Sequence, residues 1–65
     1  MKVRDLVGKM WYIQPIVITR WGMSERVVLF DGESYKLQSV TLKQFLCEDV
    51  ASFGVNDGKI EIIIK

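Results

Sequence analysis

The stretch Val50-Ala-Ser-Phe-Gly-Val-Asn-Asp-Gly-Lys-Ile-Glu-Ile-Ile-Ile-Lys65 decides how this chain is read. Asp57-Gly58 suits a two-residue hairpin turn, because a type I′ turn needs positive φ at both central residues. Folding there opposes Val55 with Ile60, Phe53 with Ile62 and Ala51 with Ile64 on one apolar face, as the two-residue period of strands requires. The other face carries Gly54 with Glu61, Ser52 with Ile63 and Val50 with Lys65. A slip of one residue would bring Glu61 to the apolar face, so the register is well specified. Ile63 is apolar on the polar side, exposed unless something covers it.

Outward from this hairpin, Thr41-Leu42-Lys43-Gln44 fits a capping box, with Thr41 capping a helix that stops near Cys47 or Glu48. Before it, Ile16 to Thr19 is β-branched throughout and reads as a strand. Residues 20–24 make a turn and residues 25–30 a second strand, opposing Ile18 with Val28 and Ile16 with Phe30. Asp31-Gly32-Glu33-Ser34 reads as another hairpin loop, and Tyr35 to Gln38 as a third strand. Ile16, Ile18, Val28, Phe30, Tyr35 and Leu37 then share one face. At the start, Val3, Leu6, Val7, Met10 and Trp11 follow helical spacing, and Trp11 with Tyr12 reads as core. The pattern of residues 3–7 returns in residues 42–46, each time before a hairpin, an echo that either amphipathicity alone or a repeated helix-plus-hairpin unit would produce.

The expected fold is therefore a single α+β domain over residues 1–65, of order α-β-β-β-α-β-β. About five antiparallel strands present an apolar face to two short helices. Parallel pairing needs crossover connections between strands, and one is available. An SH3-like or OB-like small barrel is the alternative.

Composition narrows function mainly by exclusion. The length is near the lower limit for unaided folding. With 49% apolar residues and one proline the chain is too hydrophobic for disorder, and apolar surface left outside points to self-association or a protein partner. Nine basic and eight acidic residues give no general reason to bind a polyanion. One cysteine and no histidine exclude an intrachain disulfide, a multi-cysteine zinc site and the commonest general base. No apolar leader and no apolar window of membrane-spanning length are visible, so a cytoplasmic protein without a membrane role is expected.

No catalytic constellation can be assembled: the serines have no histidine, and the glycines form no phosphate loop. No cofactor, metal or catalytic residue is expected. Glu48-Asp49 reads as a solvated helix end rather than a cation site, and Cys47 as a small hydrophobe at the core margin. The candidate interaction surface is Arg20, Trp21, Met23 and Arg26, with Ile63. Arg20 faces Arg26 in the expected pairing, an unfavourable opposition unless an anion lies between. Three readings stand: neutralisation by Glu25 or a strand-end carboxylate with Trp21 folded over the hairpin edge, contact with a partner protein, or stacking on nucleic acid, with Lys43 assisting.

Met1-Lys-Val-Arg-Asp-Leu-Val7, Leu29-Phe-Asp-Gly32, Thr41-Leu-Lys-Gln-Phe-Leu46 and the closing hairpin resemble a group of small open reading frames carried by phages and other mobile elements of low-GC bacteria. The likeness spans most of the chain through structural motifs. It supplies no activity, cofactor or site. It implies an accessory protein acting through protein contacts.

Overall fold

The structure, a computed structural model, describes residues 1–11, 13–39 and 43–65. Two antiparallel hairpins lie side by side in one four-stranded sheet. Strands β1 (Pro15–Trp21) and β2 (Arg26–Glu33) form the first, β3 (Val50–Asn56) and β4 (Lys59–Ile64) the second. The order is β2-β1-β4-β3, and the central pair is parallel, with Ile16 beside Ile60 and Ile18 beside Ile62. The small α+β character expected from sequence is present. The five-stranded, wholly antiparallel sheet and the barrel alternative are not. Counting crossovers between consecutive strands misses this arrangement, because the parallel partners are the first and last strands. Each is carried in by its own hairpin, so no direct crossover joins them.

Strand chemistry explains the order. β1 and β4 contain Ile16-Val-Ile-Thr19 and Ile60-Glu-Ile-Ile-Ile64, near-continuous β-branched runs suited to strands flanked on both sides. The outer strands are more polar or less bulky: β2 contains Arg26, Asp31 and Glu33, and β3 contains Ser52, Gly54 and Asn56. Ile63, anomalous in an isolated hairpin, is half-buried beside Thr19 of β1.

The second hairpin keeps its expected register from Val55–Ile60 through Ser52–Ile63. Its turn has φ 53° at Asp57 and 75° at Gly58, the positive values a type I′ turn demands. A bulge at Ala51 then pairs Val50 with Ile64 instead of Lys65. In the first hairpin the register differs from expectation: Ile18 opposes Phe30, Ile16 opposes Gly32, and a bulge follows before Thr19 opposes Val28. That bulge leaves Leu29 packed on the core margin and Val28 exposed.

The expected third strand is absent. Ser34–Gln38 is a 3-10 helix, because the residue that should begin the return is held elsewhere. Buried Ser34 donates its amide to the Gln14 carbonyl at 2.9 Å and its hydroxyl to the Trp11 carbonyl at 2.7 Å. The chain leaves the sheet there, which turns Leu37 into the core and leaves Tyr35 exposed. The same contacts draw Trp11 into a loop, 76% exposed, so it is not the core residue expected. The first helix, α1, accordingly spans only Val3–Val7, with the Asp5 carboxylate accepting the Lys2 amide at its start. Lys43–Cys47 is a second 3-10 helix, with Cys47 exposed rather than at the core margin. Tyr12 and the capping residue Thr41 lie outside the described residues.

Val3 and Val7 of α1 and Leu37 cover Ile16, Ile18, Phe30, Ile62 and Ile64, each fully buried side chain contributing roughly 1.5–3 kcal/mol. Ile60 and Val50 mark the rim of this core. The two halves are not placed alike: a true repeat would match β1 with β3, yet β1 is central and β3 is an edge.

Candidate functional site

The outer face of the sheet, opposite the helices, carries Val17, Thr19 and Trp21 of β1 between charged neighbours. Arg26 of β2 forms an ion pair with Glu61 of β4, and Asp31 of β2 lies 3.2 Å from Lys59 of β4. Strands two apart are about 10 Å from each other, so both pairs reach across β1. By register, the Arg26–Glu61 pair passes over Thr19. Thr19 is 2% exposed as a result, and its hydroxyl has no hydrogen-bond partner among the described residues.

This geometry places the five residues singled out from sequence. Arg20 opposes Val27, not Arg26, so the expected like-charge opposition does not exist. Arg26 instead opposes Trp21 and stacks on its ring, 5.2 Å from the centroid. Arg20 lies at the far end of β1, its Nε donating to the Lys65 carbonyl at 3.2 Å and its guanidinium 3.4 Å from Glu48. Both guanidinium groups are thus matched by carboxylates, supplied by Glu48 and Glu61 rather than Glu25. Trp21, Arg26 and Ile63 belong to the outer face, and Met23 is fully exposed in the turn between β1 and β2. The turn is a partly apolar corner whose cations are internally balanced.

The acidic residues do not converge. Glu48 faces Arg20, and Asp49 lies 2.8 Å from Lys2. The hydrogen bond from Lys2, followed by its charge, holds the Asp49 carboxyl below its ordinary range. Glu33 is depressed too, by the hydrogen bond from Lys36, then by its own backbone N–H, then by the Lys36 charge. No group of three or more potential metal ligands occurs among the described residues. An open hollow of about 520 Å³ lies against Tyr35, Lys36, Gln38 and Ser39, and Lys36 on its rim is already paired with Glu33 at 3.0 Å. No helix among the described residues is long and apolar enough to cross a membrane.

The surface that sequence reasoning missed is the edge strand β3. Phe53 and Val55 point to the helical side of the sheet, as expected, but the helices stop short of them. They are 55% and 78% exposed, so this part of the apolar face expected to lie under the helices is left uncovered. β3 carries no charge from Val50 to Asn56. Its start is already covered: Met1–Val3 runs antiparallel to it, with Val50 donating to the Met1 carbonyl and Val3 to the Glu48 carbonyl, both at 2.9 Å. Beyond Val50 no described residue pairs with the outward edge. The signal available in sequence was the uncharged run itself, an unprotected edge in most sheets. Comparison with family models, with curated proteins and with solved structures gives no match for this chain.

Proposed function

We propose that this chain is a small non-enzymatic protein-interaction module, of the accessory kind its phage-like motifs imply, and that it engages its partner by strand addition along β3. The observation that carries this reading is the coincidence of an open, uncharged strand edge with two exposed apolar side chains, Phe53 and Val55. Main-chain hydrogen bonds along such an edge supply affinity, and alternate side chains supply selectivity. The docking of Met1–Val3 on the same edge supports it, since that contact is strand addition from within the chain.

Titration with short extended peptides of alternating apolar residues, followed by amide chemical shifts, tests the reading. Shifts confined to residues 51–56 are expected. Shifts centred on Trp21 and Met23 would move the docking surface to the β1–β2 turn. No shift anywhere would count against strand addition. Binding of nucleic acid through Arg20, Trp21 and Arg26 is the second reading, favoured by the exposed Trp21 ring. It is weakened by the carboxylates already facing both arginines. A gel shift that is strong at low salt and falls steeply as salt rises would establish it.

A further inference from the structure

We propose that the partner on β3 is a second copy of this chain, added antiparallel about a two-fold axis at Gly54; this rests on β3 being the docking surface. The argument begins with the direction of the peptide groups. The two-residue turn closes on Asn56 and Lys59, and ladder bonds alternate along an antiparallel pair. The amide and carbonyl groups of Asn56, Gly54 and Ser52 therefore turn towards β4, and those of Val55 and Phe53 turn outward. At the other end, Val50 donates outward to Met1, in agreement with a bulge at Ala51. The free stretch is bounded by the docked Met1–Val3 segment on one side and by the turn at Asp57 on the other.

A copy of β3 fits that stretch. With the axis at Gly54, Phe53 opposes Val55 of the second copy and Val55 opposes its Phe53, each pair joined through outward-facing peptide groups. Aromatic and β-branched side chains directly opposed are favourable cross-strand partners. Ser52 meets Asn56 twice on the outer side. Gly54 meets itself at the axis, at a closely spaced position where nothing lies within 4 Å of its missing side chain. Moving the axis to Phe53 would drive the turn of one copy into the Met1–Val3 segment of the other. Identical strands about a two-fold oppose any charge near the axis to its own kind, and β3 has none between Val50 and Asn56. The opposite edge, β2, is unlike it: Arg26, Asp31, Glu33 and a bulge guard that side. Addition therefore closes at two copies instead of running into a filament. Pairing one short edge buries well under the roughly 800 Å² per partner of a standard interface, so the dimer dissociates on dilution.

Sedimentation over a concentration series up to about 1 mM, a range suited to weak association, tests the proposal. The mass is expected to rise from 7.5 kDa towards twice that value. Phe53→Lys should weaken the dimer by about tenfold or more, since two cross-strand pairs are lost at once. Val55→Pro should do the same by removing an outward N–H while leaving the β3–β4 ladder bonded, as edge strands tolerate proline; circular dichroism confirms that each variant is folded. A protein monomeric throughout the range, or a dimer that both folded variants leave unchanged, would overturn the proposal. Peptide-induced shifts at residues 51–56 in a strictly monomeric protein would overturn self-pairing while leaving strand addition standing. Absence of both would remove the two together.

Discussion

Asp-Gly occurs twice in this chain, and the two glycines are there for different reasons. Gly58 has φ 75°, in a turn that needs positive φ. Gly32 lies within β2, opposite Ile16, and an added Cβ would stand 3.3 Å from Cζ of the Phe30 ring. The first is a demand of backbone conformation, the second a close approach that a side chain could make only if the Phe30 ring shifted by a few tenths of an ångström. Asparagine separates them because it tolerates left-handed backbone. Gly58→Asn should leave stability within about 0.5 kcal/mol, while Gly32→Asn should cost roughly 1–3 kcal/mol by crowding a packed ring. Urea unfolding of the two variants checks this, and equal losses would show that the assignment of roles is mistaken.

At the scale of elements, short helical pieces are held by ion pairs at their ends. Lys2–Asp49 fastens the segment before α1 to the start of β3, and Glu33–Lys36 closes the first turn of the 3-10 helix after β2. Both carboxyls are depressed first by the hydrogen bond from their lysine, then at Asp49 by the lysine charge and at Glu33 by that residue's own backbone N–H, and both lysines are raised by the reciprocal contacts. A depressed carboxyl stabilises the fold above its unfolded value, and the contribution is lost as pH falls through the folded value. A raised lysine contributes below its unfolded value and is lost as pH rises through the folded one. Stability from these pairs is therefore full between about pH 5 and pH 10 and declines on either side. In urea titrations the gap between the parent and Lys2→Met should be widest in that window and close towards pH 2. A gap constant over the whole acid range would exclude a titrating Asp49 as its source. These pairs are solvent-exposed, so the effect should also shrink as salt rises.

Over the whole molecule, the junction between hairpins is the parallel seam of β1 and β4, covered by helices on one side and by crossing ion pairs on the other. Thr19 sits in that seam with a buried hydroxyl that has no hydrogen-bond partner among the described residues. Replacing it with valine keeps the branched shape, removes the desolvated group and should raise stability by about 1 kcal/mol. A loss of stability in Thr19→Val would reveal a hydrogen bond to the hydroxyl in solution. The same seam explains the open side of the protein. Helical cover and ion pairs both converge on β2, β1 and β4, and β3 receives neither beyond its first residues, which is why Phe53 and Val55 remain at the surface.

What the sequence by itself determined was local: the type I′ turn at Asp57-Gly58, the pairing from Val55–Ile60 to Ser52–Ile63, and the strand-forming runs that became β1 and β4. Turn chemistry and the two-residue period act between neighbours, so a single chain displays them. Tertiary structure alone decided the parallel seam, the bulge at Leu29, the loss of the third strand and the exposure of Phe53. Each depends on contacts between distant segments, such as Ser34 with the carbonyls of Trp11 and Gln14 or Arg26 with Glu61, and no periodicity encodes them. The candidate surface divided along the same line. Trp21 and the arginines are legible from sequence as an aromatic ring and two cations about one turn, whereas their carboxylate partners follow only from the order of the strands. β3 looked like core because its pattern was apolar, and only the extent of the helical cover shows that it is an edge.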